Sequence, residues 1–305
     1  MNSKAIRKQL LAAVAMVLVA AVALGSSTYA WFVASGTVKA EGMTVNALSE
    51  GGLAISYGRQ AWGITATASE ADKSLTPAST ANLTNWYHAM ASATDSHVAD
   101  DSTRKEISNT IYTTGQETFN QNYGYSTAST NGSVLAKTFS IRSTGSDTAL
   151  SNGLYVKAIN VTYNNVAVQM HTALRVGFVV HSVNDVGIQS GPFIYAPVTL
   201  TPASDSGNTP TDDYDVYRQP TKEELKADNT LTKVSVGTVN LKSVNTPSDP
   251  LLTGTIPNNT NNPVDVTVLI WFEGEDENLT SDKYDATDLD ITIEFSSISV
   301  GTSNG

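Results

Sequence analysis

Leu289-Asp290-Ile291-Thr292-Ile293-Glu294-Phe295 places an apolar residue at every odd position and a polar one at every even position. Side chains of a strand point alternately to its two faces, so this stretch is a strand with one buried and one wet face. Upstream, Val264–Phe272 (VDVTVLIWF) begins with the same alternation and becomes wholly apolar, as a strand inside a sheet does. Leu174, Val176, Phe178 and Val180 alternate with Arg175 and Gly177 in the same way. Residues 135–141, 155–163 and 193–200 read as three more strands, and 36–46 and Leu53–Tyr57 as two near the amino terminus. Val234 and Val236 change phase to Val239 and Leu241 across Gly237, which predicts a β-bulge there.

Helical signal is scarce. Thr221, with Glu224 three residues on, makes a capping box for one short helix, and residues 83–93 suggest a second. Many short strands and few helices predict an all-β chain: a jelly-roll-like antiparallel β-sandwich with long loop insertions and one or two short helices, preceded by an N-terminal hydrophobic signal helix. The sandwich is expected over residues 49–305. Its insertions fall at about 91–131, rich in Ser, Thr, Asn and Gly, and 201–230, which opens TPASDSGNTPTDDYD. Lys137 and Lys157 lie in predicted strands and are expected to face outward.

The amino terminus reads as an export signal. Lys4, Arg7 and Lys8 precede an unbroken apolar run over residues 10–24, followed by small residues up to Ala30. The run is short for a membrane span, which takes about 20 apolar residues. Cleavage fits after Gly25 or after Ala30. The second is the expected site, with Thr28 and Ala30 as its small residues and Trp31 as the new terminus. An uncleaved anchor is the competing reading. In both readings everything downstream is exported. Removing the three cations of residues 1–30 takes the net charge from -11 to -14.

Composition excludes several functions. Zero cysteines exclude disulfides, thiolate metal sites and a cysteine nucleophile. With 18 Lys and Arg against 29 Asp and Glu, the chain lacks the basic clusters that neutralise phosphates, so no nucleic-acid partner is expected. No His-Glu-x-x-His, Gly-x-Ser-x-Gly, phosphate loop or Gly-x-Gly-x-x-Gly occurs, so no enzyme, cofactor or zinc is expected. His171 and His181 flank one predicted strand and read as strand-end residues. The acidic turn Glu273, Glu275 and Asp276 is the one candidate Ca²⁺ loop, the alternative being a solvated turn. Trp62, Trp86, Tyr87, Tyr112, Tyr123 and Tyr125 could stack on sugars or could simply pack.

Residues 21–47 (AVALGSSTYAWFVASGTVKAEGMTVNA) resemble the signal-and-junction region of exported Gram-positive proteins related to TasA and camelysin, through Gly25, Thr28, Ala30 and Phe32. Residues 264–297 resemble the closing strands of members with such signals, through Trp271-Phe272-Glu273-Gly274-Glu275-Asp276. The two matches cover about a fifth of the chain. The resemblance implies a jelly-roll β-sandwich, processing by a SipW-type signal peptidase, and assembly into extracellular fibres of a biofilm matrix, where the segment after the cleavage site completes a neighbour's sheet. Trp31, Phe32, Val33, Val38, Met43 and Val45 would anchor that donated strand. The alternative is an ordinary first strand of the chain's own sandwich. The expected partners are copies of itself, the signal peptidase and other matrix or cell-wall components. A tethered adhesin or carbohydrate-binding module is the second function expected, and a secreted camelysin-like peptidase the third; the missing zinc motif keeps that activity from being carried over.

Overall fold

The computed structural model describes residues 38–40, 43–49, 52–59, 61–70, 73–75, 78–88, 106–107, 134–144, 152–163, 173–181, 191–197, 199–201, 213–218, 224, 227–228, 234–274 and 289–298. β1 (Val38–Ala40), β2 (Met43–Ser49), β3 (Leu53–Tyr57), β4 (Thr65–Glu70), β5 (Lys73–Leu75) and β6 (Ala78–Ser79) lead to β7 (Trp86–His88) and β8 (Glu106–Ile107). β9 (Leu135–Ser143), β10 (Asn152–Tyr163), β11 (Leu174–His181), β12 (Phe193–Tyr195) and β13 (Thr199–Thr201) follow. β14 (Tyr214–Arg218), β15 (Val234–Val239), β16 (Leu252–Thr255), β17 (Val264–Phe272) and β18 (Leu289–Ile298) end the described strands.

The described chain is all-β, in two large sheets and three small ones. The larger sheet runs β13-β10-β18-β2-β4, with β16 also on β10; the other runs β12-β11-β17-β9-β3. Pairing is mainly antiparallel. Two pairs depart from that expectation: β2 lies parallel to β18, and β13 parallel to β10.

The alternation that marks β18 places Ile291, Ile293 and Phe295 in the core, with Asp290 exposed. They meet Val45 and Ala47 of β2 and Ala66 and Ala68 of β4 in one buried cluster that also takes Ile55, Phe139, Ile141 and Val176 from the other sheet. Phe178 stands edge-on to Phe295 at 5.7 Å and to Tyr195 at 5.4 Å, a geometry worth about 0.5–1.5 kcal/mol beyond the area each pair buries.

β17 is buried along its whole length, on both faces. Val264, Val266, Val268, Ile270 and Phe272 enter the shared core, while Leu269 and Trp271 enter a second cluster with Leu83, Trp86, Ala136, Val216 and Val239. Residues 78–87 and the β14–β15 pair supply that second cluster, so the strand has no wet face at this end and its sequence stops alternating. The predicted bulge is present: β14 and β15 change register between Val216 and Tyr217, opposite Val236-Gly237.

Several expectations are corrected. The strand predicted over 193–200 breaks into β12 and β13 around Pro197, which has no N–H for a ladder. The helix predicted over 83–93 is replaced, as far as it is described, by a turn and strand β7. Asn82 Oδ1 accepts the N–H groups of Thr84 (2.9 Å) and Asn85 (2.8 Å), Thr80 Oγ1 accepts that of Leu83 (3.0 Å), and Leu83 has φ +59°. Short polar side chains thus take the backbone donors that a helix would need. Of the helix predicted at Thr221, only Glu224, Ala227 and Asp228 are described. Asp228 N–H donates to the Glu224 carbonyl at 2.9 Å, one helical turn, and no helix stands as an element among the described residues.

The insertions are not purely loop. Within the first, β8 pairs with β7; within the second, β14 supplies the buried Val216. Lys157 reaches the surface and pairs with Glu294 at 3.7 Å. Lys137 does not face outward: it lies in phase with the core residues Leu135, Phe139 and Ile141 and is 4% exposed.

One feature positions the amino terminus. The β2–β4 ladder pairs Met43 with Glu70, and the β1–β5 ladder continues it in the same register, Ala40 with Lys73 and Val38 with Leu75. β1 and β2 therefore lie along β5 and β4 in one shared register, and among the described residues β18 pairs with β2 and not with β1.

Candidate functional site

The face of β17 that carries Asp265, Thr267, Leu269 and Trp271 gathers polar groups at both ends. At one end, His181, Asp265, Ser140 and Ser56 stand directly opposite one another on β11, β17, β9 and β3. Such residues share a face and lie within side-chain reach. Ser140 Oγ donates to Asp265 Oδ1, and Arg59 donates through Nη2 to Asp265 Oδ2 and through Nε to Ser140 Oγ at 3.3 Å. Arg59 follows β3 in a turn with φ +53°. In the next row the Thr138 and Thr267 hydroxyls meet at 3.0 Å.

A serine, a carboxylate and an imidazole in one row invite comparison with nucleophilic catalysis. Their order differs. In an acyl-transfer triad the imidazole stands between serine and carboxylate and takes the serine proton. Here Asp265 is the middle residue, and Arg59 occupies its second oxygen. The row is arranged to fix Ser140 and Arg59 against the sheet.

At the other end lies Glu273, fully buried. Ser79 Oγ donates to its Oε1, and Trp271 Nε1 donates to its Oε2 at 3.1 Å. Its own N–H donates to the Ala173 carbonyl (2.7 Å), and Gly274 N–H donates to that of Ala78 (3.0 Å). Arg175 stacks its guanidinium 5.2 Å from the Tyr214 ring centre and donates to the Leu174 carbonyl at 3.0 Å. The Tyr214 phenol is held well above its ordinary pKa, first by burial and then by the Glu273 carboxylate, with Arg175 acting in the opposite direction. Trp86 stands edge-on to Trp271 at 5.0 Å. The cluster pins the 78–88 segment and β14 to the sheet.

This placement corrects the expected acidic turn: Glu273 points inward, with a donor on each oxygen, because Ser79 and Trp271 need a buried acceptor. Glu275 and Asp276 lie outside the described residues. Among the described residues, no three His, Asp or Glu side chains converge as metal ligands would.

Of the expected processing and assembly residues, Thr28, Ala30, Trp31, Phe32 and Val33 lie outside the described residues. Val38 stands opposite Leu75 on β5, and Met43 opposite Glu70 on β4. Val45 lies between Ile291 and Ala68 in the chain's own sheet, fully buried. Trp86 packs in the second cluster with Tyr87 against it. Trp62 is half-buried, with the Arg142 guanidinium 5.1 Å above its ring. Tyr112, Tyr123, Tyr125 and His171 lie outside the described residues.

Sequence reasoning missed Arg59, Ser56, Ser140, Asp265 and Arg175. The polar positions inside 264–272 were the available signal, but their partners come from distant strands. No protein-family model, curated protein or solved structure matches the chain significantly.

Proposed function

We propose that the protein is a structural subunit of an extracellular fibre in the biofilm matrix of a Gram-positive-type bacterium, and that it is not an enzyme. On this reading the signal at residues 1–30 is removed and the subunit polymerises head-to-tail. Two large sheets sharing one core support a β-sandwich of jelly-roll type as the rigid body of the subunit.

The observation that carries the reading is the one-sided pairing of β1. Among the described residues β1 pairs with β5 alone. A terminal strand paired on one side can lead into a segment that pairs with another chain. Fully extended, seven residues such as 31–37 would span roughly 23 Å. β2 is a poor candidate for exchange: it is flanked by β18 and β4, and its Val45 and Ala47 are fully buried. The donated segment therefore ends before Met43, with Trp31, Phe32 and Val33 as its anchors. The receiving edge on this reading is β4, which pairs with β2 alone among the described residues and carries TATASE with no Pro or Lys to block an added strand. A head-to-tail contact of this kind propagates without closing. Its partners are copies of itself, the signal peptidase and other matrix or cell-wall components.

Electron microscopy of two purified chains tests this. A chain starting at Trp31 is expected to form filaments, and a chain starting at Val38 to remain monomeric. Filaments of equal length from both would overturn the donated-segment reading.

A further inference from the structure

The geometry points to a binding subsite for carboxylate-bearing saccharides at the corner formed by Trp62, Arg142 and the loop 258–262. This goes beyond the fibre reading and does not depend on it. Arg142 closes β9 and lies flat enough over Trp62 to bring its guanidinium carbon 5.1 Å from the ring centre. Its Nη1 donates to Asn258 Oδ1 at 3.0 Å and to the Ser143 carbonyl at 3.3 Å. Its Nε is buried with no hydrogen-bond partner. Among the described residues no carboxylate pairs with it, in a chain of net charge -11, whereas Arg59, Lys157 and Lys242 each pair with one. Arg142 Nη2, which makes no hydrogen bond among the described residues, is left to donate to a carboxylate oxygen, a charge-assisted bond.

The surroundings suit a sugar better than a protein surface. Asn258, Asn259, Thr260, Asn261 and Asn262 form an unbroken exposed run of amides and a hydroxyl beside Arg142. The Thr260, Asn261 and Asn262 side chains make no hydrogen bond among the described residues. Amides and hydroxyls both donate and accept, which matches the mixed pattern of sugar hydroxyls, while the indole offers an apolar platform. Protein interface cores instead gather aromatic and aliphatic residues; among the described residues Ile64 is the one large hydrophobic that is exposed.

Both loops are fixed in place. Ser143 N–H donates to the Pro257 carbonyl at 2.9 Å, which anchors the Asn-rich loop to β9. Gly63 exchanges two backbone bonds with Ile55, at 2.8 and 3.1 Å, which anchors Trp62 to β3. A site held open in this way spends little ordering entropy on binding.

The test is binding of the full chain to polygalacturonate and to its carboxyl-reduced form at about 0.15 M salt, where screening acts beyond about 8 Å. Binding to the acidic polymer is expected, with at least tenfold weakening in Trp62→Ala and Arg142→Lys, since buried Trp and Arg anchors dominate binding energy. A Thr260→Ala, Asn261→Ala, Asn262→Ala variant removes only side chains without internal partners; it should keep its urea midpoint and still lose affinity. The reduced polymer should bind at least tenfold more weakly. Failure to bind the acidic polymer, equal binding of both polymers, or unchanged binding by the loop variant overturns the assignment. So does loss of filaments in Arg142→Lys with polymer binding intact, which would make the corner a protein contact.

Discussion

Removing the Glu273 carboxylate would strand two buried donors at once, the Ser79 hydroxyl and the Trp271 indole N–H. Each unsatisfied donor costs about 1–3 kcal/mol. Glu273→Ala is therefore expected to lower stability by about 2–5 kcal/mol in a urea titration, with Ser79→Ala costing less. Gly177 gives a second prediction. A Cβ there would stand 2.6 Å from Leu83 Cδ2 and 3.1 Å from Trp271 Cζ3, so Gly177→Ala overpacks the second cluster by about 1–3 kcal/mol. The buried phenols set the alkaline limit. Burial raises Tyr195, helped by Asp249, and raises Tyr214, helped by Glu273. The folded state thus holds these protons above pH 10, where the unfolded chain releases them, so the phenols' contribution to stability is constant below about pH 10 and falls above it. Phenolate absorbance should appear together with unfolding, and Tyr195→Phe should flatten the fall. At this scale little was legible. The polar positions of 264–272 were visible, but nothing in the sequence tells that Asp265 faces Ser140 and Arg59, because register joins residues from distant strands.

Elements were more legible where a strand is long and its faces differ. β18 alternates because one face is in the core, and β17 loses alternation where the 78–88 segment and β14–β15 cover its second face. β4 was missed because its buried positions are Ala66 and Ala68, too small to stand out among Thr and Ser. β7 was misread as helix because turn chemistry at Thr80 and Asn82 competes locally with the helical pattern. The parallel entry of β2 beside β18 has no signal in alternation, which reports faces and not direction. It sharpens the account of the amino terminus. Val45→Asp would bury an unpaired charge between Ile291 and Ala68, and is expected to cost more than about 4 kcal/mol, seen as loss of the folded baseline in circular dichroism. Deleting residues 31–37 should leave the urea midpoint within about 0.5 kcal/mol of the parent, since it removes nothing from the described core.

For the whole molecule, the all-β class follows from strand patterning alone, and the missing cysteines place its stability on the two clusters and their buried polar ties. Assembly is a property of the chain's ends and edges. On the proposed reading β1 and β2 stay in the chain's own sheets while the segment before them is offered to a neighbour, which would separate folding from polymerisation. Amino-terminal sequencing combined with electron microscopy of filaments taken from the producing cell tests that separation most directly. The account predicts filaments whose subunits begin at Trp31, and monomers with an unchanged urea midpoint once residues 31–37 are deleted. Subunits that retain Met1, or filaments that persist without residues 31–37, would contradict it.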